Sequence, residues 1–166
     1  MSENFIVRLD GRSFSKFTSG FKKPFDFSFM KAMYLTTSDL LNEFHGVTGY
    51  THSDEITIIF SKLISDEEIE ELKKLKREIP THLFDGRVVK ILTTMSAYCS
   101  VRFNYHLINI IKEANDSYYK ETFVKKINEC TAVFDARLIV FPKEKSTDEI
   151  LNHMYLFVLT FFLNYI

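Results

Sequence analysis

At 166 residues and 19.5 kDa the chain fits one domain with room for a real core, and its 46% hydrophobic and 26% charged content is that of an ordinary soluble globular protein. A formal net charge of −1 argues against a simple nucleic-acid binder; a polyanion would have to be held by local patches such as Lys22/Lys23, Lys73 to Arg77 or Lys125/Lys126. Cys99 and Cys130 stand apart with no C-x-x-C, and the five histidines form neither H-x-H nor H-E-x-x-H, which disfavours a zinc site.

The 17 Phe, with no Trp, read as core packing rather than as a stacking surface. The N-terminus "MSENFIVRL" lacks a basic region followed by an apolar core, so the expectation is a cytoplasmic, reduced protein with no membrane partner.

Residues 3–10 alternate toward "FIVRL" and predict a strand. Pro24 and Asp26 then introduce a helix whose buried stripe is Phe29, Met30, Met33, Leu40, Leu41 and Phe44, stopped at Gly46. "VTGYTHSDEITIIF" predicts two strands, 47–52 and 55–61, joined by a tight polar turn at Ser53 and Asp54. Residues 65–78 open with a capping box, Ser65 and Glu68, and place acids before bases, as a solvated helix does.

A long helical segment begins at Gly86, with Val88, Ile91, Leu92, Met95, Tyr98, Cys99 and Phe103 on one broad face. After a polar stretch, "TAVFDARLIVFP" predicts a last strand ended by Pro142, and a second capping box, Ser146 with Glu149, opens a final helix.

With the charged helix set aside as an insertion, the order is β-α-β-β-α-β, the α+β ferredoxin-like arrangement of an antiparallel sheet with helices packed on one face. This order places the third strand between the first two and antiparallel to both, so the end of the first strand lies beside the turn joining the second and third. Asp10 occupies the first place and Asp54 the second.

Each alone reads as a turn residue. Together they are two anions that repel unless a cation lies between them. Arg8 or Arg12 could supply it as a salt bridge. The functional alternative is a pair of Mg²⁺ ions, hard cations that take carboxylate and carbonyl oxygens and share ligation with substrate phosphates. Gly11, without a Cβ, lets its carbonyl approach a metal or phosphate closely.

The stretches "RLDGRSFSKFTSGFKKPFD", "GYTHSDEITIIF", "FDGRVVKI" and "FDARLIVFP" resemble the tRNA-histidine guanylyltransferase family and its bacterial and archaeal "like" proteins, polymerases that extend in the 3′-to-5′ direction. The likeness runs from about residue 5 to residue 142. The threonine of "YTHSDE" and the form of "FDGRVVKI" lean toward the "like" branch, which repairs tRNA 5′ ends.

The resemblance implies a polymerase palm over residues 1–145, with a helical insertion at 62–82 and a divergent or truncated apolar tail at 146–166. It implies catalytic Asp10 and Asp54 binding two Mg²⁺ through their side chains, and Gly11 binding through its carbonyl. Asp10, Gly11, Arg12, Ser13, Phe14, Ser15, Ser53 and Asp54 would line the nucleoside triphosphate, with Lys23 nearby. Glu55 matches the family's acidic position after the metal aspartate and, as the next strand residue, is expected to face away from Asp54.

"FDGRVVK" adds a phosphate-site expectation, with Gly86 opening a helix and Arg87 and Lys90 on one side of its first turn. The substrates implied are tRNA, ATP to activate a 5′ monophosphate, and GTP or another triphosphate whose 3′-hydroxyl attacks. The assembly implied is a homo-oligomer, a tetramer in the family.

Three positions depart from the family. Ser15 stands where histidine is common and His52 where glutamine is. The tail "LNHMYLFVLTFFLNYI" replaces a tryptophan-arginine-glutamine stretch and an asparagine-rich triphosphate segment. That apolar run is too short to span a bilayer; it reads as a core helix or as the new end of a truncated reading frame, and truncation is the favoured reading. The alternative function is a truncated palm that binds metal, nucleotide or tRNA without polymerising. A nucleotide cyclase is disfavoured by the missing Gly-Gly-Asp/Glu-Glu-Phe hairpin, and an RNA-recognition module by the absence of its aromatic signature.

Overall fold

The computed structural model describes residues 4–114 and 116–141 together with Glu149 and Asn152. Strand β1, Phe5–Gly11, turns Phe5, Val7 and Leu9 into the core and Arg8 and Asp10 to the other face. A short helix α1 (Phe14–Phe17) and a 3-10 turn (Thr18–Gly20) lead to helix α2 (Phe27–Phe44). Strands β2 (Thr48–His52) and β3 (Glu55–Phe60), the charged helix α3 (Asp66–Lys74), the long helix α4 (Val88–Ala114), helix α5 (Glu121–Asn128) and strand β4 (Phe134–Val140) follow.

The sheet order is β2-β3-β1-β4, and every neighbouring pair is antiparallel. Strand β3 therefore separates β1 from β2, which run parallel, as the ferredoxin-like order predicts. Helices α2 and α4 cover one face, where Met33, Leu40, Met95, Cys99 and Phe103 meet Val7, Leu9, Ile56 and Ile58.

Phenylalanines knit this core near the end of β1. The Phe14 ring lies 4.9 Å from Phe134 and 5.7 Å from Phe103, and Phe29 lies 5.7 Å from Phe103. The core reading of the phenylalanines fails at Phe25 and Phe27, which are 78% and 77% exposed. Both flank Asp26, the N-cap of α2.

Several boundaries differ from expectation for local reasons. Met30 is exposed because Phe29 and Met33, four apart, set the inward face and Met30 lies one step off it. Helix α2 ends at Phe44 because His45 takes the left-handed conformation, φ 55°. Gly46 has a different duty: a Cβ there would lie 2.4 Å from Ile58 Cγ2. Helix α4 begins at Val88 rather than Gly86, whose φ of 67° ends the preceding 3-10 turn, and Val88 itself is exposed.

The polar stretch before β4 holds α5, which packs Phe123 over Gly20. Helix α3 carries the expected Ser65–Glu68 box and buries no residue. Pro142 and the Ser146 end of the second box lie outside the described residues. Among the described residues no helix is long and apolar enough to cross a membrane.

Two polar devices set the orientation of the elements. Buried Asp26, the N-cap of α2, accepts from Phe29 N–H at 3.1 Å, from Lys22 N–H at 2.9 Å and from Tyr119 O–H at 2.8 and 2.9 Å. Asn104 donates to the carbonyls of Ser100 and Ala132, both at 2.7 Å, and accepts from Ala132 N–H, which fixes the entry of β4 against α4. On the flank, Asp39 of α2 accepts from Arg102 and His106 of α4 at 2.6 and 2.5 Å. Burial alone would raise the Asp39 carboxyl, but these two donors hold it below the ordinary carboxylate range.

Asp26→Ala removes a cap and strands a buried phenol, so it should lower stability by about 2–4 kcal/mol, read from the urea midpoint. Burial, with the Asp26 carboxylate alongside, pushes the Tyr119 phenol up to about 12. Since this lies above the ordinary value of about 10, the associated stability is present below pH 10 and falls as pH rises toward 12. A phenolate absorbance titration across that interval, beside Tyr119→Phe, checks the assignment.

Candidate active site

Register places the site before any side chain is considered. Asp10 pairs with Glu55 of β3 on one side and with Asp135 of β4 on the other. One level along, Arg8 lies between Thr57 and Arg137. All six project from the face that α2 and α4 leave uncovered, because alternate strand residues share a face.

The hairpin between β2 and β3 has a two-residue loop, Ser53 and Asp54, with Ser53 left-handed at φ 53°. Gly11 N–H donates to Asp54 O at 3.1 Å, so the end of β1 is bound to the loop that carries the second aspartate. Ser53 Oγ donates to Asp54 Oδ1 at 3.0 Å. The strand end that carries Asp10 and the loop that carries Asp54 therefore lie side by side at one end of the sheet.

The cations are disposed so as to leave that pair alone. The Arg8 guanidinium is spent on Glu55, its diagonal neighbour across the strands. Arg12 is exposed, with its backbone N–H given to Val133 O at 2.9 Å. Among the described residues no ion pair engages Asp10 or Asp54, so neither arginine forms the salt bridge that was the alternative to metal.

Among the described residues no three His, Cys, Asp or Glu side chains converge as a metal cage. Two carboxylates and a backbone carbonyl are instead the sparse oxygen set that suits Mg²⁺, which keeps its waters and takes substrate phosphates as further ligands. The donor set fits that ion.

Gly11 and Phe14 explain each other. A Cβ on Gly11 would lie 2.4 Å from the Phe14 ring, which is buried beneath the turn. Phe14 thus anchors the segment from below and offers a ligand only its backbone. Ser13, left-handed at φ 58°, and Ser15 are exposed beside Arg12, and Ser53 is exposed on the facing loop. Lys23 is exposed on the segment between α1 and α2.

Arg87 and Lys90 are not brought to this edge. They converge on Phe84, through Arg87 Nε to Phe84 O at 3.2 Å and Lys90 Nζ 4.8 Å from the Phe84 ring, while Arg87 also reaches Asp85 at 3.5 Å. Phe84, Asp85 and Gly86 are all left-handed. Phe103, the α4 residue that touches Phe14, lies 13 residues on from Lys90, about 20 Å along the helix axis. Within one chain the two cations face a different place from the aspartates.

Sequence reasoning missed Asp135, directly across from Asp10, although the alternation of "FDARLIV" contains the signal once β4 is placed next to β1. It also missed the Lys126 ammonium that caps α1 by donating to Lys16 O at 3.0 Å.

The fold is that of a palm-type domain. The chain belongs to the tRNAHis guanylyltransferase (Thg1) family, to which residues 1–142 match. It is 46% identical over 151 residues to an uncharacterised protein of Acanthamoeba polyphaga mimivirus, covering 90% of this chain and 49% of that one. It is 28% identical over 150 residues to a probable tRNA(His) guanylyltransferase of Dictyostelium discoideum, covering 89% and 47%.

The chain thus spans about half the length of the curated relatives it matches. Among solved structures, a bacterial tRNA(His) guanylyltransferase-like protein in complex with GTP superposes with a TM-score of 0.64 at 24% identity, over 92% of this chain and 59% of that one. Its complex with ATP gives 0.63 at 24%, over 92% and 54%. At that identity the likeness is one of fold.

Gly11→Ala forces a methyl group against the Phe14 ring and should cost about 1–3 kcal/mol. The expected readout is a lowered urea midpoint that Gly11→Ala/Phe14→Leu partly restores; equal midpoints for wild type and Gly11→Ala would remove the anchor role of the ring.

Proposed function

We propose that this domain is a Mg²⁺-dependent nucleotidyltransferase that adds nucleotides in the 3′-to-5′ direction to the 5′ end of tRNA, with a catalytic unit at residues 1–145. The observation that carries the reading is the junction of Asp10, Gly11 and Asp54 with the nearby Arg8 charge already neutralised by Glu55. Family membership supports the substrate class, and the GTP and ATP complexes of the solved bacterial relative support nucleotides as ligands.

Asp10 and Asp54 would hold two Mg²⁺ ions through their carboxylates and Gly11 through its carbonyl. When bound, such ions offset charge on phosphoryl oxygens and favour ionisation of an attacking hydroxyl. Arg12, Ser13, Ser15 and Ser53 would bind and orient the triphosphate of the incoming nucleotide, and Lys23 would add a cation from the following segment. The reaction has two stages. ATP activates a 5′ monophosphate as an adenylate with release of pyrophosphate; the 3′-hydroxyl of GTP or another triphosphate then attacks the 5′ phosphorus and AMP leaves.

Positioning and electrostatic stabilisation supply the rate in such chemistry, since the protein forms no covalent bond. Arg87 and Lys90 would serve a phosphate away from the aspartates, on the same chain's far side or on a neighbouring copy within a homo-oligomer. A cytoplasmic location follows from the tRNA substrate.

Labelled GTP should enter the 5′ end of a tRNA lacking its first residue in a Mg²⁺-dependent way, and Asp10→Ala should reduce this at least about a hundredfold. Incorporation equal in both proteins rules out the aspartate edge as the catalytic centre. Metal-dependent GTP binding without incorporation by wild type would favour a palm that binds without polymerising.

A further inference from the structure

We propose that the exposed ring stripe at the start of α2 is a stacking platform for a single-stranded nucleic acid, a reading that rests on the proposed tRNA chemistry for its direction toward the aspartates. Phe25 and Phe27 are 78% and 77% exposed, Tyr34 is 67% and Met30 is 54%. Phe27, Met30 and Tyr34 stand at i, i+3 and i+7 and so form one line along the helix. None of them supports the core, which α2 reaches through Ala32, Met33, Thr36, Thr37 and Leu40 instead.

The charges select the partner. Lys31 lies one turn after Phe27, and Lys23 lies just before Phe25; both are exposed. Between residues 22 and 38 the sole acid is Asp26, and its carboxylate is buried under the N–H groups of Lys22 and Phe29 and the Tyr119 hydroxyl. The next acid, Asp39, is taken by Arg102 and His106. Asp116, brought to Lys22 from the segment after α4, is held in an ion pair with it at 2.5 Å. With these acids engaged, a surface of flat apolar rings and lysines matches a ligand that alternates flat bases with phosphates.

The stripe also starts in the right place. Phe29, in the first turn of α2, touches Phe14 at 6.2 Å between ring centroids, and Phe14 lies under Gly11. The distance from Phe27 to Tyr34 is about 10 Å along the axis, room for two or three nucleotides running away from the aspartate edge.

The test uses the full chain and a fluorescein-labelled 12-nucleotide oligoadenylate RNA, followed by anisotropy at several salt concentrations. Phe27→Ala and Tyr34→Ala should each weaken binding about tenfold, while Phe27→Trp retains it. Lys31→Ala should flatten the logarithmic salt slope by about 0.7, the single-strand value for one phosphate contact. The DNA oligonucleotide of the same sequence should bind comparably and an RNA duplex of equal length more weakly, because stacking requires free base faces.

All these side chains are exposed, so wild-type urea midpoints are expected and a folding defect would be visible separately. Wild type that fails to bind the oligomer overturns the proposal, as does affinity indifferent to Phe27 and Tyr34. So does a change of sedimentation coefficient in Phe27→Ala with oligomer affinity kept, which would make the stripe a contact between copies. Failed GTP incorporation with oligomer binding intact would instead defeat the catalytic reading alone.

Discussion

The hydrogen bond from Gly11 N–H to Asp54 O is the contact on which the candidate site depends. It joins the end of a central strand to the tip of a hairpin more than 40 residues away. Strand β1 is held on both sides by antiparallel ladders, so its register is doubly specified. A slip of one residue would turn Asp10 into the core and Leu9 into solvent, a cost that the buried face of the sheet makes prohibitive. The site geometry is therefore enforced by hydrophobic burial on the opposite face, rather than by attraction between its own groups, which carry like charge.

The open face of the sheet answers the resulting electrostatic problem locally. Its acidic level, Glu55, Asp10 and Asp135, is followed by a basic one with Arg8 and Arg137. The Arg8–Glu55 pair crosses between the two levels and removes one negative charge from beside Asp10. A pair this exposed contributes little to stability. Its effect is to hold Glu55 on the strand, while Asp10, Asp54 and the exposed Asp135 enter no ion pair among the described residues.

Much of this arrangement was legible in the sequence, because the period of two in "FIVRLDG" and the turn residues of "THSDE" are local signals that tertiary structure does not override. The strand order followed from connection rules, and with it the meeting of Asp10 and Asp54. What escaped was governed by conformations that residue type does not announce. His45, Phe84 and Asp85 adopt left-handed backbone, which moved a helix end and a helix start. Helix α5 has eight residues and one fully buried side chain, too little periodicity to stand out from a polar stretch. The separation of Arg87 and Lys90 from the aspartates was invisible because spacing along a helix says nothing about which end of the sheet that end meets. Composition places Phe25 and Phe27 in the core, whereas the structure leaves both exposed on either side of the Asp26 cap.

The Phe14 ring beneath Gly11 makes the interior part of the site's mechanical support. It touches Phe17, Phe29, Phe103 and Phe134, which belong to four different segments. Loosening any of these aromatic neighbours loosens the bed on which the strand end rests. Mutational sensitivity of the candidate site should accordingly radiate inward, so that drift in the hydrophobic interior is constrained by geometry at a surface it never contacts.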